Sequence, residues 1–175
     1  RIINTIEYLR STSIWQKLDI KKPRAATKEE ISTVHTISQI EEVSEIAKTG
    51  GGYLDPDTYV SPGSYEAAIY ASGALLTAID LVMDKKTDNA FCLVRPPGHH
   101  STPTKAMGFC LFNNIAIAAK YIQSKYNFDR IAIIDWDVHH GNGTQDAFYD
   151  DPSVLFFSMH KYPFYPGTGA KEETG

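Results

Sequence analysis

Three apolar runs of strand length, each followed by a polar cluster, constrain this chain more than any other feature. They are Phe91-Cys92-Leu93-Val94, Ile131-Ala132-Ile133-Ile134 and Val154-Leu155-Phe156-Phe157. The first leads into Arg95-Pro96-Pro97-Gly98-His99-His100 and the second into Asp135-Trp136-Asp137-Val138-His139-His140-Gly141-Asn142. The third ends in Ser158-Met159-His160. Continuous apolar runs, rather than alternating ones, predict strands covered on both faces. Strand, helix, strand, helix, strand predicts parallel pairing through crossovers. The expected fold is therefore α/β, three α-β-α layers around a mainly parallel sheet. In such a sheet all three clusters fall on the carboxyl edge, where open α/β sheets bind ligands.

The rest of the chain fills in the helices. Ile3, Ile6, Leu9 and Trp15 predict an amphipathic helix over 1–18. A polar Lys/Pro stretch follows at 19–27. Thr27-Lys28-Glu29-Glu30 fits a capping box that opens a helical region to about Lys48. Its His35 reads as structural. Gly50-Gly51-Gly52 breaks the chain, and 53–63, with Asp55, Asp57 and two prolines, reads as a loop. Ser61-Pro62 fits a helix start for about 64–84, whose many small residues suit close packing. Strands are expected at 90–94, 131–135 and 154–158, and helices at 113–126 and 144–149. No repeat or linker divides the 175 residues into more than one domain.

Composition removes several function classes. Apolar residues make up 42% and no run approaches the roughly 20 residues of a membrane-spanning helix. A net charge of −4 with dispersed basic residues carries no nucleic-acid stripe. No signal peptide is visible, because the start is already helix-like. Cys92 and Cys110 lie in or near apolar segments and read as buried free thiols of a reducing compartment, hence an intracellular, cytoplasmic chain. Nothing in the sequence speaks to oligomeric state.

The chemistry lies in the strand-end clusters. Asp137 and His139 are two apart, so extended backbone turns both side chains to one face. One carboxylate and one imidazole are two of the ligands that a catalytic zinc takes. A lone Asp-x-His reads more readily as a polar strand end with hydrogen-bonded Asp and His, since short motifs recur by chance. The second cluster changes that, since Pro96, Pro97 and Gly98 force a turn that delivers adjacent histidines.

Taken together, Arg95–His100, Gly108-Phe109-Cys110, Asp135–Gly143, Ser158–Lys161 and Pro166-Gly167-Thr168-Gly169 resemble the zinc-dependent histone deacetylase family. That family includes acetylpolyamine amidohydrolases and acetoin-utilisation proteins, and its fold is the arginase/deacetylase-like one. Tyr59–Glu66 leans toward its class II-like branch. The resemblance runs over residues 1–175 and implies a histone deacetylase-like domain. It also implies roles. Asp137 and His139 would bind zinc, and His99 and His100 would handle protons, with Asp135 orienting His99. Asn142 stands where many relatives carry an aspartate behind the second histidine, which makes His100 the less basic of the pair. Phe109, beside Gly108, and Tyr165 would line a narrow acyl-lysine tunnel, and Asp57 would hold the substrate backbone at the rim. Asp135, Asp137, His139, Ser158 and Met159 would form a structural potassium site. His140 and His160 would be neighbours rather than ligands.

The family takes a third zinc ligand, an aspartate, and an oxyanion-stabilising tyrosine from segments beyond the Pro-Gly-Thr-Gly loop. The sequence ends at Gly175, so it reads as the N-terminal portion of such a domain. Neither Glu172 nor Glu173 replaces the missing ligand. Loss of an oxyanion donor alone costs roughly 3–4 kcal/mol of transition-state stabilisation. The expected function is zinc-dependent hydrolysis of N-acetylated amines, acetyl-lysine in proteins such as histones or acetylpolyamines, to acetate and free amine. The alternative is a catalytically inactive binding module. A manganese ureohydrolase on the same scaffold would want more aspartates at the strand ends.

Overall fold

The computed structural model describes residues 1–174. Helix α1 (Ile2–Arg10) is shorter than the expected 1–18 and is followed only by a 3-10 turn at Trp15–Lys17. The hydroxyls of Ser11 and Thr12 donate to the carbonyls of Tyr8 and Leu9. Such local bonding competes with helix propagation. The capping box forms as read, with Thr27 and Glu30 bonded reciprocally at the start of α2 (Lys28–Ile31). The single helix expected to Lys48 is instead broken. Ser32 and Thr33 turn their hydroxyls onto the carbonyls of Glu29 and Glu30, and Thr36 caps a new helix, α3 (Ile37–Lys48). The break carries His35 into the interior.

The expected loop 53–63 contains a short antiparallel hairpin, β1 (Gly52–Asp55) with β2 (Thr58–Val60), irregular between Tyr53 and Asp55. Helix α4 (Ser64–Met83) is capped by Gly63 and not by Ser61, whose N–H donates to Ser64 Oγ. By length and composition α4 could cross a membrane, which corrects the expectation that no run reaches that length. Its Ala68, Ala71, Ser72, Gly73 and Leu76 are buried. Asp80 accepts from Tyr121, Lys125 and Tyr126 of α5 (Asn114–Tyr126) and ties the two helices side by side.

Strand β3 (Ile131–Asp135) pairs in parallel with β4 (Val154–Ser158), in register from Ile131↔Val154 to Asp135↔Ser158. Helix α6 (Asn142–Phe148) lies in the crossover. Residues 90–94 form no ladder among the described residues, contrary to expectation, and Phe91 is 83% exposed. An apolar run becomes a strand only when a neighbouring strand accepts its hydrogen bonds.

Helix α5 is the central plate. Ile117 and Ala118 join Leu76 and Phe112 in one core, while Ala116 and Ala119 join Ile133, Phe148 and Val154 in a second. The layer expected on the other sheet face is not among the described residues, where Ile134 and Leu155 are 62% and 67% exposed.

The segment Arg24–Ala26 crosses α4 at Gly73, and Ala26 N–H donates to Ile69 O at 2.9 Å. A Cβ on Gly73 would overlap Arg24 O and sit 2.7 Å from Ala26 N. Backbone cannot yield as a side-chain tip does, so Gly73→Ala should destabilise the protein by about 1–3 kcal/mol. Urea unfolding of the full-length protein measures this, and an unchanged midpoint would refute the close crossing.

Candidate active site

The histidine pair sits on a loop fixed from both sides. Gly143 N–H and Thr144 N–H of α6 donate to His99 O at 2.9 and 3.2 Å. Gly143 allows this approach, since a Cβ there would lie 2.7 Å from the carbonyl carbon of His100. Below the loop runs a buried polar network. Ser101 Oγ donates to Leu111 O at 3.0 Å, Gln39 Nε2 donates to Ser101 Oγ at 3.0 Å, and Asn113 Nδ2 donates to Ser101 O and Thr144 Oγ1 at 3.2 Å. Asn114 Nδ2 donates to Pro96 O at 3.2 Å. Among the described residues no buried side-chain nitrogen or oxygen lacks a partner.

His99 and His100 stack with ring centroids 4.0 Å apart. Nδ1–H of His99 donates to Asp135 Oδ2 at 2.8 Å. Nδ1–H of His100 donates to Asn142 Oδ1 at 2.9 Å, and Asn142 is oriented by its own amide, which donates to His100 O. In a neutral ring whose Nδ1 carries the proton, Nε2 keeps its lone pair. Burial, and then the neighbouring His99, push the His100 imidazole down to about 4, although Asn142 works against them. His100 is therefore neutral at pH 7.

Asp137 and His139 meet as expected, but in a bend after β3 rather than by strand alternation. Asp137 Oδ1 accepts His139 N–H at 2.8 Å, and His139 Nδ1 lies 3.0 Å from the same oxygen. Burial works to raise the Asp137 carboxyl. The His139 amide and the nearby imidazoles outweigh it, so the group sits below its ordinary value. Among the described residues no three His, Cys, Asp or Glu side chains gather as a metal-binding group. The pair fits two ligands of the three that a catalytic zinc takes.

Tyr165 packs edge-on to His100 with centroids 5.0 Å apart and to His139 at 6.2 Å. Burial, then Asp57 and Asp55, push its phenol up to about 12. Gly108 lies under His100, where a Cβ would come 2.8 Å from His100 Cγ. Phe109 is 60% exposed and lines a cavity of about 320 Å³ with Asp57, Tyr59, Arg95 and Leu111. Asp57 Oδ1 accepts Gly108 N–H at 3.2 Å. Asp135 and Ser158 are register partners, and Met159 N–H donates to Asp135 O at 2.9 Å. The five residues expected around potassium thus lie at adjacent strand ends. Ser158 Oγ turns to His160 Nδ1 at 2.9 Å.

His140 and His160 are neighbours, 4.5 Å between ring centroids, and they hold the Pro-Gly-Thr-Gly loop. His140 Nδ1 pairs with Thr168 Oγ1 and His160 Nε2–H donates to Gly169 O. Glu173 completes the clamp by accepting from Gly169 N–H and Gln145 Nε2. Cys110 is buried and Cys92 half-buried, both free, and burial pushes the Cys110 thiol up to about 12.

Sequence reasoning did not find Gln39, Ser101, Asn113, Thr144, Gln145, Thr168 or Glu173 as supports. Their partners lie up to 78 residues away, as with Asn113 N–H donating to His35 Nε2 at 2.8 Å. The one local signal was the Asn113-Asn114 pair before a helix, and Asn113 does cap α5.

The His99–His100 pair and the Asp137–His139 pair thus meet at the carboxyl edge of the parallel β3–β4 pair. Residues 1–175 match the histone deacetylase domain, and the chain belongs to that family. It is 42% identical to a probable deacetylase of Archaeoglobus fulgidus over all of this chain and 49% of the relative. It is 41% identical to the histone deacetylase-like amidohydrolase of Pseudomonas aeruginosa, over 91% of this chain and 42% of that one. With the polyamine deacetylase HDAC10 of Danio rerio it shares 42% identity over 93% of this chain and 25% of the relative. The crystal structure of the HDA15 HD domain superposes with a TM-score of 0.95 at 39% identity, over all of this chain and 50% of that one. The chain thus spans at most about half the length of these relatives.

The support network has a pH signature. Burial pushes His35 down to about 4, from an ordinary 6.5. Between those values the unfolded state binds the extra proton, so His35 lowers stability as pH falls from 6.5 toward 4, and not above. The difference corresponds to on the order of 3 kcal/mol. The melting-temperature gap between wild type and His35→Gln should narrow as pH drops from 7 to 4.5. A constant gap would contradict the buried neutral imidazole.

Proposed function

We propose that the full-length protein carrying this chain hydrolyses N-acetylated primary amines, acetyl-lysine side chains or acetylpolyamines, to acetate and the free amine. One observation carries the reading. Two stacked imidazoles, each with Nδ1–H committed to an acceptor, stand beside a carboxylate–imidazole pair suited to a metal. The relatives named as deacetylases and as an amidohydrolase support it.

In this reading Asp137 and His139 would hold zinc, which when bound would supply a Lewis acid for the amide carbonyl and lower the pKa of water. A potassium ion at Asp135, Asp137, His139, Ser158 and Met159 would brace the same strand ends. His100, neutral at pH 7, takes a proton from the attacking water at Nε2 and returns one to the leaving amine. Asn142 and Asp135 hold the two rings in the tautomers that expose Nε2. Phe109 and Tyr165 flank the aliphatic stem of the substrate and keep water from it. Asp57, at the cavity beside Phe109, binds the substrate's backbone amide or a charged amine. The site acts in the cytoplasm on a small or peptide amine, without nucleic acid or membrane as partner.

The second reading, a binding module without turnover, draws on the lack of a three-residue metal group among the described residues. His100→Ala should lower turnover of an acetyl-lysine peptide at least about 100-fold with zinc retained. Asp137→Ala should lose the metal by elemental analysis. Undiminished turnover in His100→Ala would remove the assigned role. Tight peptide binding without turnover at full zinc occupancy would favour the binding module.

A further inference from the structure

The wall residue Phe109 is held by a side chain that no sequence signal marks. Phe109 has φ of 65° and Gly108 has φ of 58°. A residue other than glycine seldom adopts that conformation unless its surroundings enforce it. The enforcement comes from the hairpin. Thr58 is 1% exposed, and its Oγ1 accepts the Phe109 N–H at 3.0 Å. A hydroxyl has one proton, and here it goes to Asp57 Oδ1 at 2.8 Å, which aims the lone pairs at Phe109. Asp57 Oδ1 also takes the Gly108 N–H. Two consecutive amides of the wall are thus bonded to two consecutive residues of the hairpin.

Two further contacts make this a register and not a single bond. Lys105 pairs with Asp55 at 2.6 Å, fixing the other end of the wall loop to β1. On the inner side Gly108 lies against the His100 ring, so the loop cannot shift inward. Only outward movement remains, and the Thr58 hydroxyl opposes it. Thr58 itself does not line the cavity, whereas its neighbours Asp57 and Tyr59 do.

We infer that Thr58 is a positioning residue for substrate binding: its hydroxyl, oriented by Asp57, fixes the Phe109 ring against the aliphatic stem of the acetylated amine. The inference rests on the deacetylase reading of the site. It assigns to Asp57 a second task, orienting Thr58, in addition to contact with substrate.

The test compares Thr58→Val, which keeps the shape and loses the hydroxyl, with Thr58→Ser, which keeps the hydroxyl, in the full-length protein. Two quantities are read: hydrogen exchange of the Phe109 amide, and kcat and KM on an Nε-acetyl-lysine tripeptide. Thr58→Val should speed Phe109 exchange and raise KM about fivefold, the worth of one ordinary hydrogen bond, with kcat little changed. Thr58→Ser should restore both. Thr58→Ala repeats the comparison if valine lowers the melting temperature by several degrees. Unaltered Phe109 exchange overturns the inference, and so does faster exchange with unaltered KM. If the parent protein neither binds nor cleaves the tripeptide, the deacetylase reading fails, and Phe109 exchange alone decides whether Thr58 holds the wall.

Discussion

The structure depends on one buried hydrogen-bonded hub, the Asn113 side chain with Ser101 and Gln39. The loop that carries His99 and His100 runs through the interior, and its main chain must find partners there. Asn113 bonds Ser101 O with its amide and caps α5 with its carbonyl. Its own N–H goes to His35, which passes the connection to Thr102 O. Leaving any one of these groups unpaired costs about 1–3 kcal/mol, more than the net gain of a typical bond. The network therefore behaves as a unit, and the position of His99 and His100 follows from it.

A second constraint joins the clusters. The β3–β4 register places Asp135 opposite Ser158, so the second and third clusters leave the sheet side by side. The first cluster arrives from outside the sheet and is drawn to them by α6, whose first-turn amides point at His99 O. An open amide end and a carbonyl are complementary, and the approach requires Gly141 and Gly143. At Gly141 a Cβ would overlap Asp135 Oδ2, the acceptor of His99. Each glycine marks a contact on which the placement of the histidine pair rests.

The α/β class, the parallel crossover and the strand-end placement of the chemistry were legible in the sequence, because the apolar runs at 131–134 and 154–157 both form strands and pair in parallel. The pairing of His100 with Asn142 followed from the family resemblance, and Asp137 meets His139 through a bend and not through the strand alternation expected of their spacing. The run at 90–94 misled, since apolar character does not supply a pairing partner. The break at 32–36 was hidden because Ser32 and Thr33 disfavour a helix interior only weakly, and their bonds to the carbonyls of Glu29 and Glu30 decide it. His35 read as merely structural because nothing chemical lies near it in sequence, yet it touches Asn113 across 78 positions. Supports of this kind are tertiary, and no spacing rule reaches them.

The site divides into a rigid floor and an exposed edge, and the division follows from burial. His100 and Asn142 are buried and bonded to each other through Nδ1 and Oδ1, so the fold itself fixes the orientation of the His100 ring. Asp137 and His139 are roughly half exposed, which leaves the pair open to an incoming ion. Preorganisation where charge must move and access where ligands must enter are opposing demands on one strand-end loop. The turn from Asp135 to Asn142 meets both by anchoring its two ends, at His99 and at His100, and leaving its middle open.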